Sequence, residues 1–198
     1  AMIRFIHGAD FHLDSPFRAL PNHKAAQRRA EQRELQGRLG QLAQEREADL
    51  VLLSGDLLDG DNTYYETAQA LARTLGQLRA RVFIAPGNHD PYTPRSPYAT
   101  LQWPGNVHIF SGPGVEAVEL PGLDCVVYGS AFTRPTREDS PLRDFQAPRD
   151  GRAHLMCVHG DTGGKNSAYG PVDRLEIAGS GLDYLALGHV HARSTPER

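Results

Sequence analysis

Five short apolar runs in this 198-residue chain each lead into side chains able to bind a metal ion. In chain order these are Asp10-Phe11-His12, Gly55-Asp56, Gly87-Asn88-His89-Asp90, His159-Gly160 and Gly188-His189-Val190-His191. Carboxylate and neutral imidazole together suit borderline divalent metals such as Mn, Fe or Zn, whereas an all-oxygen set suits Mg or Ca. Asp10, His12, Asp56, Asn88, His159, His189 and His191 are more donors than one ion needs, and enough for two if one carboxylate bridges them. Two ions held about 3.5 to 4 Å apart can clamp a phosphate, generate hydroxide from bound water and stabilise the leaving oxygen of an in-line displacement. Any one of these motifs alone is an ordinary turn or capping pair. Their recurrence after five separate runs, using five of the nine histidines, points to one shared site. The other four, His7, His23, His108 and His154, are read as satisfied or solvent-facing residues.

The elements that must position these residues read as strands alternating with helices. Strands are expected at Arg4 to His7, Leu50 to Leu53 and Val82 to Ala85, with a long helix from about Lys24 to Arg46 between the first two. That helix would place Leu35, Leu39, Leu42 and Ala43 on one face, with Gly37 and Gly40 weakening its middle. Thr63-x-x-Glu66 reads as a capping box opening a second helix, whose inner face carries Ala68, Leu71, Ala72, Leu75 and Leu78. Such units form right-handed parallel crossovers. Val107 to Phe110, Val115 to Leu120 and Asp124 to Tyr128 are close together and read as antiparallel, with Pro121-Gly122 as a tight turn. Thr133 to Arg152 is polar and rich in Pro and Arg, as in a surface excursion or flexible loop. Strands at His154 to Val158 and Tyr184 to Leu187 follow, separated by a Gly-rich loop and a weak segment near Val172 to Ala178. In a mainly parallel sheet the carboxyl ends of the strands lie along one edge, so ligands distant in sequence can meet there.

Composition sets the outer bounds. A length of 198 residues fits one domain, and a 39% hydrophobic share with 20 glycines excludes disorder and fibrous repeats. Cys125 and Cys157 lie in apolar runs without Cys-x-x-Cys spacing, which argues against a disulfide scaffold and for reduced, buried thiols. No signal-like start or membrane-length apolar run is present, so a cytoplasmic protein with no membrane association is expected. Ala1 before Met2 reads as a tag remnant. A net charge of -3 argues against broad adhesion to nucleic acid while leaving room for local basic patches.

The ordered pattern Asp-x-His, Gly-Asp-x-x-Asp, Gly-Asn-His-Asp, His and Gly-His-x-His resembles the calcineurin-like metallophosphoesterases, over Asp10 to His191. The resemblance implies a four-layered α/β/β/α sandwich of two mixed sheets. It implies one metal held by Asp10, His12, Asp56 and His191 and a second held by Asp56, Asn88, His159 and His189, with Asp56 bridging. His89 would then act at the scissile phosphate, with Asp90 orienting it, and Asp59 would support the site. Mn is the expected ion of the pair, with Fe, Zn, Ni or Mg as alternatives.

Within that superfamily, the run from Arg4 to Phe17 and Gly55-Asp-Leu-Leu-Asp59 are similar to the SbcD-type DNA repair nucleases and most of all to their YhaO-type branch. The resemblance implies a DNA exonuclease or endonuclease. A homodimer and an SbcC-like coiled-coil ATPase partner are implied in the same way. Residues 2–198 would be the catalytic core, a fragment ending before a capping region. The alternatives are a small-molecule phosphodiesterase or nucleotide phosphatase at the same site, and a non-catalytic scaffold. Phosphate contacts could come from Arg18, Lys24, Arg28, Arg29 and Arg33, or from Arg134, Arg137, Arg143, Arg149 and Arg152. Substrate-binding residues are otherwise open. Tyr64, Tyr65, Tyr92 and Tyr98 lie near the motif loops, where packing explains them better than base stacking.

Overall fold

The computed structural model describes residues 2–15, 20–60, 63 and 65–189, apart from the side chain of residue 33. Its strands are β1 (Phe5–Gly8), β2 (Leu50–Leu53), β3 (Arg81–Ile84), β4 (Val107–Ile109), β5 (Glu116–Leu120), β6 (Cys125–Gly129), β7 (Ala153–His159) and β8 (Tyr184–Gly188). The helices are α1 (Asn22–Glu45), α2 (Tyr65–Gly76), the one-turn α3 (Pro97–Thr100) and α4 (Arg174–Gly179). One sheet runs β1-β2-β3-β4 and the other β5-β6-β7-β8. The first is parallel throughout its described strands. The second is mixed, with β5 antiparallel to β6 and β6, β7 and β8 parallel.

Alternating side chains explain why four-residue strands suffice. Val51 and Leu53 of β2, with Val82 and Ile84 of β3, face Leu39 and Ala43 of α1 and Ala68, Leu71 and Leu75 of α2. Leu50, Leu52 and Phe83 point the other way and join Val127, Leu155, Cys157 and Ala186 between the sheets. Both faces of β2 are therefore buried, as its continuous apolar run requires. On the far side of the second sheet, Val126, Tyr128, Met156 and Val158 are covered by Leu142, Phe145, Val172 and Ile177. Helices, sheet, sheet and an outer cover make the four layers of the expected α/β/β/α sandwich.

Several local expectations change. β4 pairs with β3, not with β5, so the expected antiparallel stretch divides between the sheets and only β5 and β6 pair that way. Leu35 and Leu42 are exposed, and α1 instead buries Ala25, Gln36, Leu39 and Ala43. The helix runs through Gly37 and Gly40 without a break, and a Cβ on Gly40 would lie 3.5 Å from Thr74 Cγ2 of α2, an ordinary van der Waals contact. The Thr63 hydroxyl accepts the Asp59 N–H at 2.7 Å and donates to the Leu13 carbonyl at 3.3 Å, tying two site loops together. The segment from Thr133 to Arg152 lacks regular structure but is packed, with Arg137, Leu142 and Ala147 buried. The weak segment after it is α4, opened by a capping box of Asp173 and Glu176. No described helix is long and apolar enough to cross a membrane.

Candidate metal centre

Because β1, β2 and β3 are parallel and in register, Gly8, Leu53 and Ile84 end at the same edge. His159 ends β7 beside Gly188 at the end of β8. The loops beyond continue the ladder, with Asp10 N–H donating to Gly55 O at 3.0 Å, His12 N–H to Asp56 O at 2.9 Å and Leu13 N–H to Leu57 O at 2.9 Å. The sheets are joined there by Ser54, whose hydroxyl donates to the Ala186 carbonyl at 2.8 Å.

These turns bend sharply. Asp10, His12, Asp56 and His189 all have positive φ, of 58°, 44°, 52° and 88°. Four candidate ligands in the sparsely occupied left-handed region mark stored strain of the kind found at functional sites. Gly55 also has positive φ, and a Cβ there would lie 2.8 Å from Ala85 O. A Cβ on Gly87 would strike the Asp56 carboxylate.

Asp56 stands at the middle. Its Oδ2 lies 3.3 Å from His159 Nε2 on one side and 3.7 Å from His12 Nε2 on the other. Its Oδ1 accepts the His89 N–H at 2.9 Å. Two ligand clusters share it, one of Asp56, His159 and His189, the other of His12, Asp56 and His89. Asn88 completes the first, with Oδ1 2.9 Å from His159 Nε2 and 3.3 Å from His189 Nδ1. His159 donates its Nδ1–H to the Ser54 carbonyl at 2.8 Å, which fixes the ring and turns Nε2 toward the cluster. In the second cluster Asp59 Oδ1 approaches His12 Nδ1 at 3.8 Å and His89 Nδ1 at 3.5 Å.

Burial pushes the His12 pKa down, against the pull of Asp56, in the direction that favours the neutral ring a metal ligand needs. Burial lowers His189 in the same direction, helped by His159. For His159 burial also acts downward, but Asp56 outweighs it and the pKa is raised. Asp56 is the counterpart: burial favours its neutral form, yet His159 and the His89 N–H hold it below the ordinary carboxylate value. Imidazole nitrogens and acceptor oxygens that converge on one carboxylate are a donor set that a pair of divalent ions satisfies. The thiols take no part, since burial raises Cys157 to about 12 and Cys125 to about 11.

The expected site residues are thus sorted. His12, Asp56, Asn88, His159 and His189 come together. Asp10 is in neither cluster among the described residues; its carboxylate accepts the His189 N–H at 3.1 and 3.3 Å, and its charge acts on both His12 and His189. His89, expected to act without ligating, brings a ring nitrogen within 4.8 Å of its partners in the His12 cluster. His191 lies outside the described residues, as do Arg18 and Tyr64.

Asp90 does not orient His89. Its carboxylate is buried and accepts N–H groups from Gly87 at 2.7 Å, Leu57 at 2.8 Å, Asp56 at 2.9 Å and Leu58 at 3.3 Å, together with the Tyr98 hydroxyl. The reason is geometric: the turn after β2 exposes successive N–H groups that a buried anion can gather. Burial, with Asp56 nearby, raises Asp90 to about 6. Asp59 takes the place expected of Asp90 beside His89. The bracing roles of Ser54, Thr63 and Tyr98 carried no sequence signal, except that Ser54 directly precedes Gly55-Asp56.

The model of the family described as calcineurin-like phosphoesterase matches residues 3–193. The chain belongs to this family. The divalent metals that the family uses fit the two clusters around Asp56. The chain is 30% identical over 202 residues to a protein of Bacillus subtilis (strain 168) called uncharacterized metallophosphoesterase YhaO, an alignment covering 96% of this chain. The chain spans about half of that relative's length, 49%. A crystal structure aligns with 79% of each chain covered, at a TM-score of 0.49 and 12% identity. By the family match, the phosphoesterase family and its sandwich fold are those expected from the motifs.

Proposed function

We propose that this phosphoesterase cleaves phosphodiester bonds of DNA, as a nuclease of DNA repair with Mn as its working ion. The observation that carries the two-ion chemistry is Asp56 Oδ2, set between His12 Nε2 and His159 Nε2. Bound ions would clamp the phosphate, supply hydroxide from water and stabilise the leaving oxygen. Asp10, His12, Asp56, Asn88, His159, His189 and His191 would hold them, and the Asp10 carboxylate also fixes the His189 backbone. His89 keeps half of its side chain exposed, and Asp59 steadies its Nδ1, so its ring can meet the phosphate or protonate the leaving oxygen.

DNA as the substrate is supported by the SbcD-like wording of the first two motif blocks. A homodimer and a coiled-coil ATPase partner belong to the same proposal and rest on the resemblance alone. The test is digestion of end-labelled single- and double-stranded DNA with Mn, using Asp56→Asn as the control for contaminating nuclease. Cleavage that the variant lacks is the expected result, and the fate of the label gives the polarity. Hydrolysis of bis(p-nitrophenyl) phosphate without DNA cleavage would replace the nuclease reading with a small-molecule phosphodiesterase.

A further inference from the structure

The arginines of the segment from Thr133 to Arg152 differ in what already engages them. Arg152 is committed to Asp150 at 2.7 Å and Glu119 at 3.2 Å. Arg137 is only 8% exposed. It donates from Nη1 to Ser130 Oγ at 3.0 Å and from Nη2 to the Pro113 carbonyl at 2.7 Å, and Asp139 lies 3.4 Å away. Its backbone is bound as well, its N–H to Ala168 O and its carbonyl to Gly170 N–H, both at 2.7 Å. Yet its Nε–H, fully buried, has no acceptor among the described residues. A buried cationic donor without an acceptor is unfavourable, and it marks a strained packing of Arg137 at this wall.

Arg137 and the exposed Arg134 line one cavity of about 490 Å³. That volume lies in the range of small-ligand sites, roughly 300 to 1,000 Å³. Thr133 and Thr136 add hydroxyl donors to its wall. Glu138 and Asp139 on the same wall oppose an anion, and Asp139 is paired with Arg137, so affinity for phosphate would hang on Arg134. The cavity is one side chain away from the metal centre: Phe132, which lines it, meets the His159 ring edge-on at 5.4 Å between centroids.

Resting on the phosphodiester reading above, we propose that this cavity is a second phosphate subsite, taking a backbone phosphate other than the one at the metal centre. Arg134 contacts that phosphate, and Arg137, held by Ser130, Pro113 and Asp139, shapes the cavity. The substrate class that follows is a polynucleotide, with at least two phosphates engaged together, in preference to a lone phosphoester.

Two measurements on wild type, Arg134→Glu and Arg134→Lys test this. The first is binding of a short fluorescein-labelled single-stranded oligonucleotide by anisotropy across a NaCl series in EDTA, where metal cannot recruit phosphate. The second is the KM for the same oligonucleotide and for bis(p-nitrophenyl) phosphate with Mn. Arg134→Glu should weaken oligonucleotide binding about tenfold and lower the salt slope by about one, with Arg134→Lys retaining most of both. Its KM penalty should be about tenfold greater on the oligonucleotide than on the single-phosphate ester. Equal penalties on the two substrates, or oligonucleotide binding unchanged in Arg134→Glu, would overturn the subsite. Arg134-dependent binding without DNA cleavage would remove the nuclease reading and leave the subsite standing.

Discussion

On one side of Asp56, His159 is 1% exposed, with its Nδ1–H held by the Ser54 carbonyl and its Nε2 aimed at Asn88 and Asp56. On the other side, the His89 side chain is 51% exposed and meets the carboxylate of Asp59 at 3.5 Å. One ring is positioned by backbone at the junction of two sheets, the other by a side chain on a loop. The buried half is braced by the backbone, while the open half is where solvent and phosphate can enter. Preorganisation and access are divided between two clusters that share one carboxylate.

The largest expected effect comes from the shared residue. Asp56→Asn can keep an oxygen toward the His89 N–H, but then turns an NH2 toward His12 and His159, whose nitrogens must face a cation. Isothermal titration with Mn should show both ions weakened, and turnover should fall by well over the roughly 10- to 100-fold typical of supporting residues. Loss of only one ion would mean that Asp56 belongs to a single cluster. His159→Ala separates the halves, since it should remove the ion of the buried cluster, leave the Ser54 carbonyl without its donor, and cost about 1 to 3 kcal/mol in chemical denaturation. A variant of unchanged stability would show that burial at His159 does not distinguish the two sides.

His89→Ala acts on the open half. It should lower kcat roughly 10²- to 10⁴-fold, as loss of a proton donor does, while titration still finds two ions. An ion lost together with the rate would make His89 a ligand, which its place in the His12 cluster permits. This variant therefore decides whether the open cluster holds its ion with His89 or leaves His89 to the phosphate.

The same contrast accounts for what could be read from the residues alone. Strands β2 and β3 and the inner face of α2 were legible because burial on both sheet faces, or along one helix stripe, leaves a periodic apolar record. The ligands were legible because each follows such a strand and its type is dictated by chemistry. The pairing of β4 with β3 was not, since β4 and β5 carry no mark of which sheet takes them. Nor was the packing of the arginine-rich segment, because Arg137 is buried through contacts with Ser130 and Pro113, distant residues with no local signature. Bracing by Ser54 and Thr63 rests on a backbone carbonyl and on a hydroxyl turned to another loop, and neither is specified by spacing.

Asp90 is the residue whose role moved furthest, and Asp90→Asn gives the smallest and most specific effect. Its carboxylate gathers four backbone N–H groups around the turn that presents Asp56, so it fixes the bridging residue without a hydrogen bond to any imidazole of the clusters. Burial, with Asp56 nearby, raises its pKa from the ordinary 3.8 to about 6 in the metal-free protein. A raised folded value means that the folded chain binds this proton more tightly than the unfolded chain. The stabilisation is then fully present below about pH 4 and is lost as pH rises through about 6. Asparagine does not titrate, so denaturation midpoints measured in EDTA should lose that slope. At neutral pH the variant should be destabilised by about 1 to 3 kcal/mol, because its NH2 faces backbone donors. Its Mn affinity should fall no more than the roughly 10- to 100-fold expected of a residue acting through its neighbour. A wild-type slope retained in Asp90→Asn would assign the proton to another group and leave the turn held by geometry alone.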